Sequence, residues 1–254
     1  MEPNGGGDRR KTTATSLRVV DAVDELGGAR LTEIAEELDL STSTVYTHLN
    51  TLTDHGYVTK IGDRYELGLK LFHLGEEARR RDDRYDLARE SARELANTTG
   101  EEVNFAVEEN GRSIILFDEV SNPSVEGFQV GHQFYMHNSA SGKAMLAELP
   151  DEYIDDVIDR WGLPRETTNT ITDRDRLFDE IEEIRSQGYA VNDQEAFEGL
   201  HSVAIAVENP DGTVFGSLDV SGPPYRLPAD TELVELLRPV VSELERELAS
   251  SESN

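Results

Sequence analysis

Apolar residues fall at helical intervals through the first quarter of the chain. Leu17, Val20, Val23 and Leu26 recur every three residues, and Gly27–Gly28 end that run, which predicts a helix over 15–26. Thr32 opens a shorter segment, TEIAEELDL, with Ile34, Ala35 and Leu38 on one side. Ser41 is a natural N-cap for STSTVYTHLNTLTDHG, whose Val45, Leu49 and Leu52 face inward and which Gly56 closes. The period then drops to that of a strand. YVTKIGDRYELG predicts a hairpin with strands over 57–61 and 64–67 about a Gly62–Asp63 turn. Three short helices and a glycine-turned hairpin outline a winged helix-turn-helix over 15–68, in which the third helix enters a DNA major groove.

Beyond the wing, 69–84 reads as a linker helix and 85–98 as a second amphipathic helix ending at Gly100. Strands are expected at 102–108 and 113–120 about an Asn110–Gly111 hairpin turn, and at 188–192, 202–208 and 213–220, the last two joined by a turn over 209–212. Helices are expected at 140–149, 151–160, 173–187 and 231–249. Together these form an α+β sensor domain over 85–250. Residues 1–14 are glycine-rich and polar, and a disordered arm is expected there.

Charge changes this picture. The chain carries 52 acidic residues against 24 basic ones, a net of -28, and only four of the basic residues are lysines. Such a charge repels a polyanion in dilute salt. At about 1 M salt the Debye length falls to roughly 3 Å and the global charge is no longer felt at a distance. Acidic residues interleaved with periodic apolar ones, and few lysines, resemble the composition of proteins from salt-accumulating halophiles. Residues 1–70 hold only -4 of the net charge, so the predicted DNA-facing module is comparatively free of it. No run of eighteen apolar residues exists to cross a membrane, the N-terminus has no apolar secretory core, and cysteine is absent. A cytoplasmic protein is expected.

With its apolar side buried, the third helix would present Ser41, Thr42, Ser43, Thr44, Tyr46, Thr47, His48 and Asn50. Short hydroxyls at a helix N-terminus suit phosphate; Tyr46, His48 and Asn50 could reach base edges. Lys60 and Arg64 in the wing could meet phosphate or the minor groove.

The segment LTEIAEELDLSTSTVYTHLNTLTDHGYV, followed by HNSASGKAMLAELP at 137–150, GYAVNDQEAFEGLHSVAIAV at 188–207 and GSLDVSGPPYRL at 216–227, resembles the IclR family of transcriptional regulators. The resemblance implies a GAF-like effector domain after the linker helix, a homodimer or homotetramer, a palindromic promoter operator in double-stranded DNA, and a small organic acid or sugar acid as effector. It implies no cofactor. Members usually carry an Arg on the recognition helix where Thr47 stands here. Carried over residue by residue, the effector site falls on Ala140 and Ser141, on Asn192, Leu200 and Ser202, and on Asp219 and Ser221, with Phe134 as an apolar wall. Asp219 replaces a frequent Ser. It would repel a ligand carboxylate, so either it accepts ligand hydroxyls or the carboxylate sits only at 140–141.

Enzyme motifs are absent. Gly142–Lys143 lacks the preceding glycine and following hydroxyl of a phosphate loop, Ala140 stands where a Ser-x-x-Lys nucleophile would need serine, and His132 and His137 have no third ligand at metal spacing. Neither a catalytic nor a metal site is expected. One alternative stays open: a small-molecule sensor whose N-terminal domain makes protein contacts only.

Overall fold

The computed structural model describes residues 10–120 and 130–251. These divide into two compact units, the first ending at Asp82 and the second beginning at Asp83.

The first unit runs α1 (Lys11–Glu25), β1 (Ala29–Arg30), α2 (Leu31–Glu37), α3 (Thr42–Asp54), β2 (Val58–Ile61), β3 (Arg64–Leu67) and α4 (Lys70–Arg79). Its core joins Val19, Ala22 and Val23 of α1 to Ile34 and Ala35, to Val45, Leu49 and Leu52, and to Val58 and Tyr65 of the wing. Two expectations change here. Helix α1 starts at Lys11, inside the segment expected to be disordered; the rest of that arm lies outside the described residues apart from Arg10. Thr15 and Ser16 donate their hydroxyls back to the carbonyls of Lys11 and Thr12, so the helix itself absorbs groups that would otherwise compete with it. The inward face is also shifted. Leu17 is 60% exposed while Val19 and Ala22 are buried, because the i, i+3, i+4 stripe runs through an alanine. Strand β1 pairs Ala29 with Tyr65 and Arg30 with Arg64, adding a third strand to the wing. A two-residue strand has too little alternation to be seen in sequence.

The second unit contains α5 (Tyr85–Thr99), β4 (Glu102–Glu109), β5 (Arg112–Val120), β6 (Gln133–Tyr135), α6 (Ala140–Ala147), α7 (Asp151–Trp161), α8 (Arg174–Gln187), β7 (Ala190–Asp193), β8 (His201–Glu208), β9 (Val214–Gly222) and α9 (Asp230–Ser251). The strands form one antiparallel sheet in the order β6-β5-β4-β9-β8-β7. Asn110 and Gly111 both have positive φ, as the tight β4–β5 turn requires; a side chain at Gly111 would collide with Trp161, whose indole N–H donates to the Asn110 carbonyl.

Alternation assigns the sheet two different faces. Val103, Phe105 and Val107, Val203, Ile205 and Val207, and Leu218 and Val220 form one core with α5 and α9. Their neighbours along the strands, including Glu102, Asn104, Ser202, Asp219 and Ser221, are buried but polar. A second core, built on α6, α7 and α8, packs near the opposite face through Ala190 and Ala204. A buried polar sheet face needs hydrogen-bond partners, and that requirement locates the site.

Candidate functional site

Helix α3 is capped as the sequence suggests. The Ser41 hydroxyl accepts the Thr44 amide at 3.2 Å, and the hydroxyls of Ser43 and Thr44 lie 3.0 and 2.8 Å from it. Thr47 donates to the Ser43 carbonyl at 3.0 Å. These hydroxyls therefore rigidify the first turns, and the larger exposed polar groups of the face are Tyr46, 48% exposed, and Asn50, with Thr42 beside them at the helix start. His48 is half-buried, its Nδ1 2.8 Å from the Ser16 hydroxyl, and so ties α3 to α1. In the wing, Lys60 is exposed and its ammonium lies 5.1 Å from the centre of the Tyr65 ring. Arg64 turns inward. It donates to the Gly28 carbonyl and lies 3.8 Å from Glu33, bracing the wing against the preceding loop. The basic group at the wing tip is Arg30, paired with Asp63 at 2.6 Å, which the sequence pattern did not single out.

The eight residues expected to bind an effector come together. Phe134, Ala140, Ser141, Asn192, Leu200, Ser202, Asp219 and Ser221 line one pocket, joined by Ala106, Ser113, Ile115 and Ser139. The pocket holds about 310 Å³ of empty space, mouth included. It sits between the polar sheet face and the start of α6. Ser139 caps that helix, accepting the Gly142 amide at 3.1 Å and donating to the Tyr135 carbonyl at 3.2 Å. Gly142 lets the helix start pass close to the chain before it, since a Cβ there would lie 2.5 Å from the Met136 carbonyl oxygen.

Asp219 is the electrostatic centre of the pocket. Ser141 Oγ donates to its Oδ2 at 2.6 Å and Asn104 Nδ2 to its Oδ1 at 3.1 Å; Asn104 also reaches Ser221 Oγ at 3.1 Å. Burial pushes the Asp219 carboxyl up to about 6, against the pull of those two donors. Two more carboxyls share this region. Register places Asp118 and Asp219 on either side of Asn104, and Glu102 is two residues along the same strand. Burial, reinforced by Asp118 and Asp219, raises Glu102 to about 8, with Arg226 opposing; burial and Glu119 raise Asp118 to about 6. Glu102 Oε1, Asn104 Oδ1 and Asp118 Oδ1 are buried without hydrogen-bond partners.

The far wall is held by an ion pair. Lys143 of α6 is fully buried and donates to Glu195 Oε1 at 2.6 Å and Glu180 Oε1 at 2.9 Å. The Glu195 amide in turn donates to Asn192 Oδ1 at 2.8 Å, and Asn192 Nδ2 lies 3.4 Å from Ser202 Oγ. Sequence reasoning missed this support. Its one visible signal was a lysine within an otherwise apolar helix of a lysine-poor protein. His137, pushed down to about 4 by burial, uses its Nε2–H on the Pro164 carbonyl at 3.1 Å. Among the described residues no cluster of three His, Cys, Asp or Glu side chains is placed to hold a metal ion.

Both halves of this geometry have counterparts among known proteins. Residues 14–62 match the IclR helix-turn-helix domain, and residues 81–246 match the bacterial transcriptional regulator IclR C-terminal domain. The chain belongs to the IclR family. A probable HTH-type transcriptional regulator ArcR of Halobacterium salinarum is 32% identical over 239 residues, covering 89% of this chain and 90% of its own. The acetate operon repressor of Salmonella typhimurium is 28% identical, covering 89% of each. The crystal structure of the Thermotoga maritima IclR superposes with a TM-score of 0.73 at 26% identity, over 93% of this chain and 98% of that one. These relatives are transcriptional regulators rather than enzymes, and an IclR protein has DNA and a small-molecule effector as its partners. No helix among the described residues is long and apolar enough to cross a membrane.

Proposed function

We propose that this protein is a sequence-specific, effector-responsive regulator of a catabolic or metabolic pathway, working in a cytoplasm of high salt. The observation that carries the effector half is the convergence of eight scattered residues on one pocket. The effector is a sugar-derived acid. Asp219 already stands 2.6 Å from the Ser141 hydroxyl in the first turn of α6, so the anion that this turn favours is supplied by the protein. An incoming ligand is then received best through hydroxyls that donate to Asp219, with its own carboxylate held away from it.

Residues 15–68 bind a palindromic operator, 69–84 form the linker, and 85–250 bind the effector. Self-association of two or four copies is supported by the apolar surface of the first unit, where Leu69 is 86%, Phe72 70% and Leu17 60% exposed. On DNA, Tyr46, Asn50 and Thr42 read the major groove from the rigid start of α3, whose Ser41, Ser43, Thr44 and Thr47 lie along the phosphates, and Lys60 meets the backbone from the wing. His48 and Arg64 contribute by holding helix and wing in place. Effector binding would alter the spacing of two such modules across two half-sites.

The test is a mobility shift with the protein's own upstream DNA in molar KCl, with and without sugar acids. A shift that an added sugar acid changes supports the reading. No shift under any condition leaves the alternative, an N-terminal domain used only for protein contacts. Calorimetry on Asp219→Ser checks the effector: the sugar-acid affinity should fall at least roughly tenfold, and an unchanged affinity refutes the role given to Asp219.

A further inference from the structure

Phe134 borders two recesses. Next to the effector pocket, and sharing only this residue with it, lies a larger one of about 470 Å³, mouth included, which is within the size range of small-molecule sites. Arg112, His132, Tyr135, Asn138 and Phe197 form most of its lining, with Glu166 the one acidic member.

Its chemistry differs from that of the effector pocket. Arg112 brings a cation into a strongly acidic molecule, and the group is fixed: the guanidinium lies 3.8 Å from the centre of the Tyr135 ring and 5.1 Å from that of Trp161, and one Nη donates to the Gln133 carbonyl at 2.8 Å. Its Nε is buried with no acceptor. Asn138 is 2% exposed, and its Oδ1 is buried with no donor. A buried polar atom left without a partner destabilises the site until a ligand group satisfies it. Four aromatic rings, His132, Phe134, Tyr135 and Phe197, share the lining with Gln133 and Ala196. Phe134 meets Phe197 edge-on, with centroids 5.8 Å apart, and the His132 ring lies 4.5 Å from that of Phe134. Burial and the adjacent Arg112 hold His132 below its ordinary pKa, toward the neutral ring.

We propose that this recess is a second ligand site, distinct from the effector pocket, for a planar aromatic monocarboxylate. The carboxylate accepts from Arg112, a ring hydroxyl or N–H donates to Asn138 Oδ1, and the flat ring lies among Phe134, Tyr135 and Phe197. Glu166 in the lining selects one negative charge over two.

The probe is 4-hydroxybenzoate, titrated into the full-length protein in KCl, with cyclohexanecarboxylate as the non-planar control. In wild type carrying labelled alanine methyls, ring protons of the bound probe should give transferred contacts to Ala196, which lines this recess, and none to Ala140, which lines the effector pocket. Arg112→Gln should weaken the probe at least roughly tenfold, while the sugar-acid response stays intact. The idea fails if no binding is seen up to about 10 mM, if the methyl contacts fall on Ala140, if the saturated control binds equally well, or if Arg112→Gln leaves the affinity unchanged. The methyl contacts are read on wild type, so they decide the matter even if the variant folds poorly. Loss of DNA binding or of the sugar-acid response would refute the proposed function without touching this site.

Discussion

Replacing Lys143 with Met removes the cation that pairs with Glu195 and Glu180 beside the effector pocket while keeping the length of the side chain. The lysine side chain is 0% exposed, and its partners Glu195 and Glu180 are 9% and 33% exposed. Glu180 can turn to water. Glu195 cannot, and its Oε2 already lacks a partner. Breaking a buried pair by deleting one member costs about 3–5 kcal/mol. Burial already raises the Glu195 carboxyl and Lys143 is the main influence holding it down, so the variant can reduce the penalty by protonating Glu195. The cost at pH 6 should therefore lie near the lower figure. Between pH 6 and 8 the variant loses further stability relative to wild type, because its folded state holds a proton there that the unfolded chain releases. At about 2–4 °C per kcal/mol for a chain of this size, 3 kcal/mol lowers the melting temperature by roughly 6–12 °C. Screening does not reach a buried pair, so molar KCl should not erase the difference. Circular-dichroism melts of wild type, Lys143→Met and Lys143→Met with Glu195→Gln, at pH 6 and 8 in KCl, make the test. The double variant should regain most of the loss. A single variant melting within about 2 °C of wild type, or a double variant with no recovery, refutes the account.

Two further outcomes follow from the same physics. Glu102 sits near 8 when folded against an ordinary 4.5, so the folded state holds its proton across that interval and stability falls as pH rises through it, by up to about 5 kcal/mol. Glu102→Gln should match wild type near pH 4.5, gain on it up to pH 8 and level off beyond; parallel pH–stability curves for the two proteins would contradict this. At the DNA face, Thr47→Arg should tighten operator binding in dilute salt and steepen the log–log salt dependence by about one unit, leaving affinity in molar KCl nearly unchanged; filter binding across a KCl series that shows equal slopes would rule out a phosphate contact at this position.

The order of helices and strands was legible because each buried face repeats within its own element. What failed to show depended on other parts of the chain. Leu17 and Val19 are equally apolar, and only contact with α2 and α3 decides which one points inward. Strands β1 and β6 are two and three residues long and exist because β3 and β5 offer free edges. At the site, the pocket-lining residues came through the family resemblance, whereas the groups that hold them did not. Lys143 meets Glu195 from 52 positions away, Asn104 meets Asp219 from 115, and Arg64 is tied to Gly28 and Glu33. No local pattern encodes such pairs. The Arg112 recess escaped notice for the same reason, since its lining comes from β5, from His132 and β6, and from the loops after β6, α7 and β7.

Thr47 and Asp219 are departures of one kind. Each removes a position where recognition would rest on opposite charges: an Arg against phosphate on the helix, and a helix N-terminus against a ligand carboxylate in the pocket. Thr47 spends its hydroxyl on the Ser43 carbonyl, and Asp219 supplies the α6 turn with an anion of the protein's own. Charge–charge attraction at an exposed surface is the contribution that concentrated salt weakens most, while hydrogen bonds made within a buried pocket or against a base edge keep their worth. A protein with 52 acidic residues and four lysines that must still find DNA gains from this exchange at both ends. The two substitutions therefore have a shared test. On the high-salt reading, Thr47→Arg should improve operator binding in dilute buffer and lose that gain as KCl approaches about 1 M, whereas Asp219→Ser, acting inside a buried pocket, should weaken the sugar acid to the same degree in dilute buffer and in about 1 M KCl.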